Sequence, residues 1–285
     1  MKKIIILLFS LLISNTCFAI GVDWNSNTIS AIGVGAAPDS VTKQGPADAL
    51  ARRAAVVDAY RNLASIVYGV EIENHTTVEQ LAVKKDKIKT LVSGVISNAR
   101  IVDEEKLDDG NYQITITMPI FGAKNSLASA VWENDEHVAV VPTPVVPVTP
   151  VTPVTPVIPA TIKTNSSDTV QPIPAGMITG VVIDCRGLGL ERAMAPNILD
   201  VTGRTIYNSQ NVDNSLIVKK GLASYVKSDS PDDIKVAGVN PLIIKAVAVK
   251  DFSRNPVVSK EDADKIIDKN QESNFLRNSA VVFIQ

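Results

Sequence analysis

Cysteine and histidine are scarce in this chain of 285 residues, with two of each. Cys17 falls inside an N-terminal leader, so removal of the leader leaves Cys185 alone. One cysteine closes no internal disulfide, which excludes a disulfide scaffold. His75 and His137 with a single cysteine are too few for a zinc site, and neither a metal nor a cofactor is expected. No Gly-x-Ser-x-Gly nucleophile elbow occurs. Neither sign of charge dominates. The net charge is −2; residues 20–137 carry 11 basic and 16 acidic groups, and residues 175–285 carry 14 and 13. That balance gives no electrostatic case for nucleic acid or an anionic membrane surface. After residue 19 there is no apolar run long enough for a transmembrane helix. With 45% hydrophobic and 20% charged residues, each half can still build a core.

Residues 1–19 read as a secretory signal peptide. Lys2 and Lys3 precede an apolar run, Ile4 to Ile13, that is too short to span a bilayer. Cys17-Phe18-Ala19 places small residues at −3 and −1 of a cleavage site after Ala19. A retained anchor is one alternative. Lipidation of Cys17 is another, although Ser14-Asn15-Thr16 lacks the Leu and the small residue that favour it. The leader points to a periplasmic location.

Nine of the sixteen prolines lie between Val138 and Pro174, and Pro147 to Pro156 is a Pro-Val-Thr triplet repeat. Proline fixes φ and lacks an N–H, so this stretch joins neither a helix nor a central strand. It reads as an extended linker, 138–174. At ~3.1 Å per residue it would reach at most ~110 Å. It divides the chain into two domains, 20–137 and 175–285.

In the first domain, Thr28 to Gly35 is consistent with a strand, and Gly45-Pro46 reads as a break. Ala47 to Val67 then reads as a helix with Val56, Tyr60, Leu63 and Val67 on one stripe. An Asp48–Arg52 pair is expected at i, i+4 on its solvated face, with Arg52 and Arg53 as candidates for partner docking. Val70 to Glu73 alternates as a strand. A second helix, whose charged start is Lys84 to Lys89, carries Ile88, Leu91, Val92, Val95, Ile96 and Ala99 on one face. Arg100 to Lys106 and Tyr112 to Met118 flank Asp108-Asp109-Gly110-Asn111, a hairpin signal. Ser126 to Trp132 reads as a short helix. The result is an α+β layer.

The string Ala51-Arg52-Arg53-Ala54-Ala55, Asp58-Ala59-Tyr60-Arg61-Asn62-Leu63-Ala64 and Gly69-Val70, with Gly94 to Ala99 and Asp109 to Tyr112 after it, resembles the Lpp-twenty-type lipoprotein family. That family holds FlgP/FlgT-like cell-envelope and flagellum-associated proteins. The resemblance covers about residues 30–122. It implies an outer-membrane-associated or periplasmic structural role, often in or near the flagellar motor, and no catalytic apparatus.

In the second domain, Met177 to Cys185 reads as a buried strand, Thr202-Gly203 as a turn before a strand from Arg204 to Tyr207, and Leu242 to Val249 as one more apolar strand. Ser259 with Asp262 caps a helix from Lys260 to about Asn270, and Ala280 to Ile284 is a final strand. This is α+β again. Asp184 to Leu190 also resembles a segment that follows the spacer in larger members of the family.

Three features invite chemistry. Gly187-Leu188-Gly189 follows a strand, but a dinucleotide fingerprint needs a third Gly where Arg192 stands. A tight turn is the simpler reading; a phosphate or carboxylate site using Arg186 or Arg192 is the alternative. Cys185 shares a strand face with Val181 and Ile183 and reads as a small buried hydrophobe. An enzyme would need Asp184, Cys185 and Arg186 to line one open cleft. No catalytic, cofactor-binding or metal residue is assigned. The expectation is two small α+β domains joined by a Pro-rich linker after a signal peptide. The protein is expected to be a non-enzymatic envelope structural or assembly protein, peripheral to the outer membrane. It would dock on envelope or flagellar proteins and form homo-oligomers. The alternative is a periplasmic binding module for a carbohydrate or peptidoglycan fragment.

Overall fold

The computed structural model describes residues 20–73, 76–132 and 176–285. The signal segment 1–19, Cys17, the linker 138–174, His75 and His137 lie outside the described residues. In chain order the first part holds β1 (Gly21–Asp23), β2 (Thr28–Gly35), α1 (Gln44–Gly69), β3 (Glu71–Glu73), β4 (Thr76–Thr77), α2 (Val78–Lys84), α3 (Asp86–Ser97), β5 (Arg100–Lys106), β6 (Tyr112–Pro119) and α4 (Leu127–Trp132). The second holds β7 (Gly180–Asp184), β8 (Ile198–Asp200), β9 (Thr205–Tyr207), α5 (Asn214–Lys220), β10 (Ser224–Val226), β11 (Pro241–Lys245), β12 (Ala248–Lys250), β13 (Asn255–Val258), α6 (Lys260–Ser273) and β14 (Val281–Ile284). Of the described residues helix takes 35% and strand 28%, so neither dominates and both parts are α+β, as expected.

Compact units do not follow chain order. One comprises residues up to Ile66 with Ala99–Thr117, the other Val67–Asn98 with Met118–Gln285.

The first unit is a sheet in the order β1, β2, β6, β5, carrying α1. Its defining contact is between α1 and β2. A Cβ placed on Gly33 would lie 2.0 Å from the Ala59 nitrogen, and one on Gly35 would lie 2.1 Å from the Ala55 nitrogen and 2.4 Å from the Ala51 oxygen. Helix backbone therefore rests directly on strand backbone, and only Gly below and Ala above leave room for it. This corrects the expected stripe. Ala51, Ala55, Ala59, Leu63 and Val67 are the fully buried positions, and Val56 and Tyr60 are half-buried. α1 also starts earlier than Gly45-Pro46 suggested. A first-turn proline sacrifices no helical hydrogen bond, because that N–H has no partner in any case.

Strand β1 pairs only with Thr28, Ile29 and Ser30 of β2. Beyond it, α1 side chains meet the β2 backbone: Asn62 Nδ2 donates to the Ile32 carbonyl at 2.8 Å, and Asp58 Oδ2 accepts from Val34 N–H at 3.1 Å. The expected hairpin is present, with β5 and β6 antiparallel around Gly110 at φ 84°. β5 supplies the partners that α1 was expected to find within itself. Arg52 makes a two-pronged pair with Glu104 at 2.7 and 2.8 Å, and Lys106 Nζ sits 2.8 Å from both Asp48 oxygens. Residues 104 and 106 share a face of β5, so they meet Arg52 and Asp48 one turn apart on α1.

In the second unit the expected helix is present as α3, and a further short helix precedes it: Thr77 and Gln80 form a capping box that starts α2, and Lys85 (φ −134°, ψ 102°) separates α2 from α3. β10, β14, β7 and β11 form a wholly parallel sheet in that order. β7 (GVVID) and β14 (VVFI) are almost continuously apolar, as strands covered on both faces must be. Ile234 and Ala237, in and beside a 3₁₀ turn (Lys235–Ala237), cover the face made by Val182, Val282 and Ile284. Gly180 permits this approach, since a Cβ there would lie 2.4 Å from the Ala237 oxygen. The expected strand Leu242 to Val249 divides between two sheets. Ala246 N–H still donates to Asp184 of β7, whereas Val247 N–H donates to Val257 of β13. β12, β13, β8 and β9 form the second, mixed sheet. α6 is capped by Ser259, whose Oγ accepts from Asp262 N–H at 3.0 Å.

Segments from both sides of the linker meet in this unit. Arg254 pairs with Glu71; Ala195 N–H donates to the Ile72 carbonyl at 3.0 Å; Asn214 Nδ2 donates to the Trp132 carbonyl at 3.0 Å. Gly122 N–H donates to the Val218 carbonyl at 2.7 Å.

Two outcomes follow. Gly35→Val drives a side chain into the α1 backbone and should destabilise the first unit by about 3 kcal/mol, read by chemical denaturation. Asp200 is buried at the β8–β9 turn. Burial alone would raise its pKa, but bonds from Thr202 Oγ1 and N–H and from Arg204 hold it down to about 2. A depressed carboxylate stabilises above its ordinary pKa, so this contribution should fall as pH drops from about 4 towards 2. Asp200→Asn should flatten that limb in acid unfolding.

Candidate functional site

The residues singled out by their chemistry do not converge. Gly187 and Gly189 adopt φ 80° and 67°, and a Cβ at either would meet open space. These glycines serve a turn, with no backbone approaching them closely. Arg186 folds back on Asp184, its Nε and a terminal nitrogen lying 2.9 and 2.7 Å from the two carboxylate oxygens. That pair draws the Asp184 carboxyl below its ordinary range. Arg192 turns the other way: its Nε donates to Gln285 Oε1 at 3.0 Å and its guanidinium lies 5.7 Å from the Tyr225 ring centre. Cys185 is 1% exposed, and burial pushes its thiol up to about 12. It therefore carries negligible thiolate at neutral pH. The thiol is shut inside while Asp184 and Arg186 pair at the surface, so the three do not share a cleft. Among the described residues no cluster of His, Cys, Asp or Glu could hold a metal ion.

Two other places gather side chains. In the second unit a cavity of about 260 Å³ has apolar walls from Ile72, Leu81, Val131 and Trp132. Glu73, Thr76, Lys85 and Ser209 supply its polar lining, and Ser209 Oγ donates to Glu73 at 2.6 Å. Sequence reasoning missed it because Glu73 and Ser209 are 136 positions apart and neither belongs to a motif.

In the first unit the outward side of α1 forms an open groove with the end of β2. Leu50, Ala54, Val57 and Arg61 run along it at i, i+4, i+7 and i+11, joined by Val34, and Arg53 stands beside them. Val34, Leu50 and Val57 are 46%, 42% and 52% exposed. Three large aliphatic side chains left open on one face form a contiguous apolar patch of the sort that marks interaction sites. Their helical spacing was legible in the sequence, on the side opposite the alanine stripe.

These features define a class: an α+β scaffold with one long helix laid on a small sheet and an apolar strip left on that helix. Residues 23–118 match the family model of the LPP20 lipoprotein, and residues 180–285 match that of the second domain of Treponema pallidum Tp0624. No curated protein matches the chain. The first match bears out the resemblance carried by Ala51 to Val70 at the level of the family, without separating its flagellar members. The N-terminal segment is thus similar to the LPP20 lipoprotein family, which points to the cell envelope. Among the described residues no helix is long and apolar enough to cross a membrane.

Burial of Cys185 has a direct readout. A thiol reagent should leave it unmodified in the folded chain and titrate it fully in denaturant.

Proposed function

We propose that this is a non-enzymatic structural or assembly protein of the periplasm, peripheral to the outer membrane, which works by docking on other envelope proteins, those of the flagellar motor among them. The observation that carries the reading is the outward strip of α1. Apolar side chains that could have been polar at no cost to the fold are exposed in a row, with Arg53 and Arg61 beside them. The surface suits a partner that is apolar at its centre and acidic at its rim, since complementary charge steers encounter and fixes register. Support also comes from the lipoprotein family and from the dispersal of Cys185, Asp184 and Arg186.

A photo-cross-linking residue at position 57, used in intact cells, should capture an envelope protein identifiable by mass spectrometry. Arg53→Glu with Arg61→Glu should weaken capture about tenfold or more, equivalent to ~1.4 kcal/mol. The folded state should shift by no more than about 0.5 kcal/mol, as usual for surface changes. Capture that survives both reversals would overturn the assignment of this face.

The cavity beside Trp132 favours a second reading, a binding module for a carbohydrate or peptidoglycan fragment. An apolar wall with a few convergent polar groups suits a sugar ring, although the volume is just below the ~300 Å³ of usual ligand sites. A muropeptide that raises the melting temperature of the wild type, and not of Trp132→Ala, would support it.

A further inference from the structure

We infer that the cavity beside Trp132 holds an aliphatic α-amino acid group, a ligand end that bears an ammonium and a carboxylate on one carbon, with Glu73 receiving the ammonium and Lys85 the carboxylate. The inference rests on the reading of this cavity as a binding module and names the class of its ligand.

The cavity is assembled from four segments of the second unit, each pinned by its own bonds. β3 gives Ile72 and Glu73, and the Ile72 carbonyl accepts from Ala195 N–H at 3.0 Å. Between Glu71 and Glu73 the register of β3 on β4 shifts, an irregularity of the kind that re-aims side chains beside sites. α2 gives Leu81, and the helix closes where Lys85 N–H donates to the Leu81 carbonyl at 3.0 Å. α4 ends in Val131 and Trp132, and Asn214 Nδ2 donates to the Trp132 carbonyl at 3.0 Å. Ser209 opens a 3₁₀ turn, Ser209–Asn211, capped by Asn208, whose Oδ1 accepts from Gln210 N–H at 3.0 Å. A space walled in this way is formed before any ligand arrives, as small-molecule sites mostly are.

Size limits the ligand. At about 260 Å³ the cavity lies below the ~300–1,000 Å³ of sites for drug-sized molecules, so it takes one amino acid or one sugar ring and no disaccharide. A sphere of that volume is about 8 Å across, and two hydrogen bonds of ~2.8 Å leave between them only the span of two groups borne on one carbon. Chemistry then selects the amino acid. Ser209 Oγ donates to Glu73 at 2.6 Å, the length of a hydroxyl bond to an ionised carboxylate. Glu73 is thus held as an anion at one wall, and Lys85 brings a cation to the same space. A carboxylate only accepts and an ammonium only donates, so a ligand that offers an ammonium to the first and a carboxylate to the second matches both. Such charge-assisted bonds are about twice as strong as those of a neutral hydroxyl. The apolar walls, Ile72, Leu81, Val131 and Trp132, suit an aliphatic side chain, whereas they would strip the hydroxyls of a sugar of water without replacing it. Two sources carry this group: a free aliphatic amino acid, and a wall peptide whose diaminopimelate residue ends in it.

The full chain with Trp24→Phe, which leaves Trp132 as its one tryptophan, reports binding by fluorescence, and the melting temperature gives a second readout. L-Leucine or a diaminopimelate-ended wall tripeptide should bind with a Kd below ~1 mM, and the tighter of the two names the source. Acetylating the amine of that ligand, or converting its carboxylate to the amide, should weaken binding at least about tenfold. Glu73→Gln should erase the preference for the free amine and keep that for the free carboxylate; Lys85→Gln should do the reverse. A variant that merely misfolds weakens every ligand alike and melts early without ligand, and the blocked ligands on the parent chain test the inference independently of any such variant. Equal binding of the free and both blocked forms overturns it. Binding of N-acetylglucosamine with leucine and the tripeptide inert also overturns it, while the binding module stands. No response to any of these ligands overturns both.

Discussion

The closest approach in the first unit is backbone against backbone. Gly33 and Gly35 of β2 leave no side chain between strand and helix, and Ala51, Ala55 and Ala59 add only methyl groups above them. At that separation dispersion contacts are dense, and a misfit has nowhere to go. The register of α1 along β2 is therefore fixed to the residue. With it are fixed the reach of Asn62 and Asp58 to the β2 backbone and the meeting of Arg52 and Asp48 with β5. The outward strip of α1 is a corollary. Because the inner face is taken by alanines, the large aliphatics of the first three turns, Leu50 and Val57, are left on the outside.

That same contact explains what the sequence concealed. Amphipathic patterning ranks large apolar residues as the core-facing ones, so it selects Val56 and Tyr60 over alanines that look neutral. The pairing of two glycines in a strand with a four-residue alanine repeat in a helix is a three-dimensional complement. Neither half signals alone. The two strands and the turn of the β5–β6 hairpin were legible because their information is local: Gly110 supplies the positive φ and alternation marks the strands, while the register shift between Ile101 and Asp103 leaves no such signal. The cap at Ser259 was legible for the same reason. The Thr77-x-x-Gln80 box is an equally local signal for α2, a helix that apolar periodicity alone does not mark. Leu242 to Val249 was read as one strand because hydrophobicity records burial and not the sheet to which a residue belongs. The change of partner between Ala246 and Val247 leaves no trace in the sequence.

Of the site, the fate of the Gly-x-Gly turn and of Cys185 could be read from spacing and strand parity. The cavity at Trp132 could not. Its walls come from the β3–β4 hairpin, α2, α4 and the turn before α5, and only the fold brings them together.

Trp132 and Gly176 both belong to the second unit, so folding of that unit brings the two together whatever the length of chain between them. Loop closure depends on the logarithm of length: doubling a flexible loop costs only about 0.6 kcal/mol, and one more Pro-Val-Thr triplet in a segment of this size costs well under ~0.1 kcal/mol. Folding thus exerts almost no selection on the number of triplets.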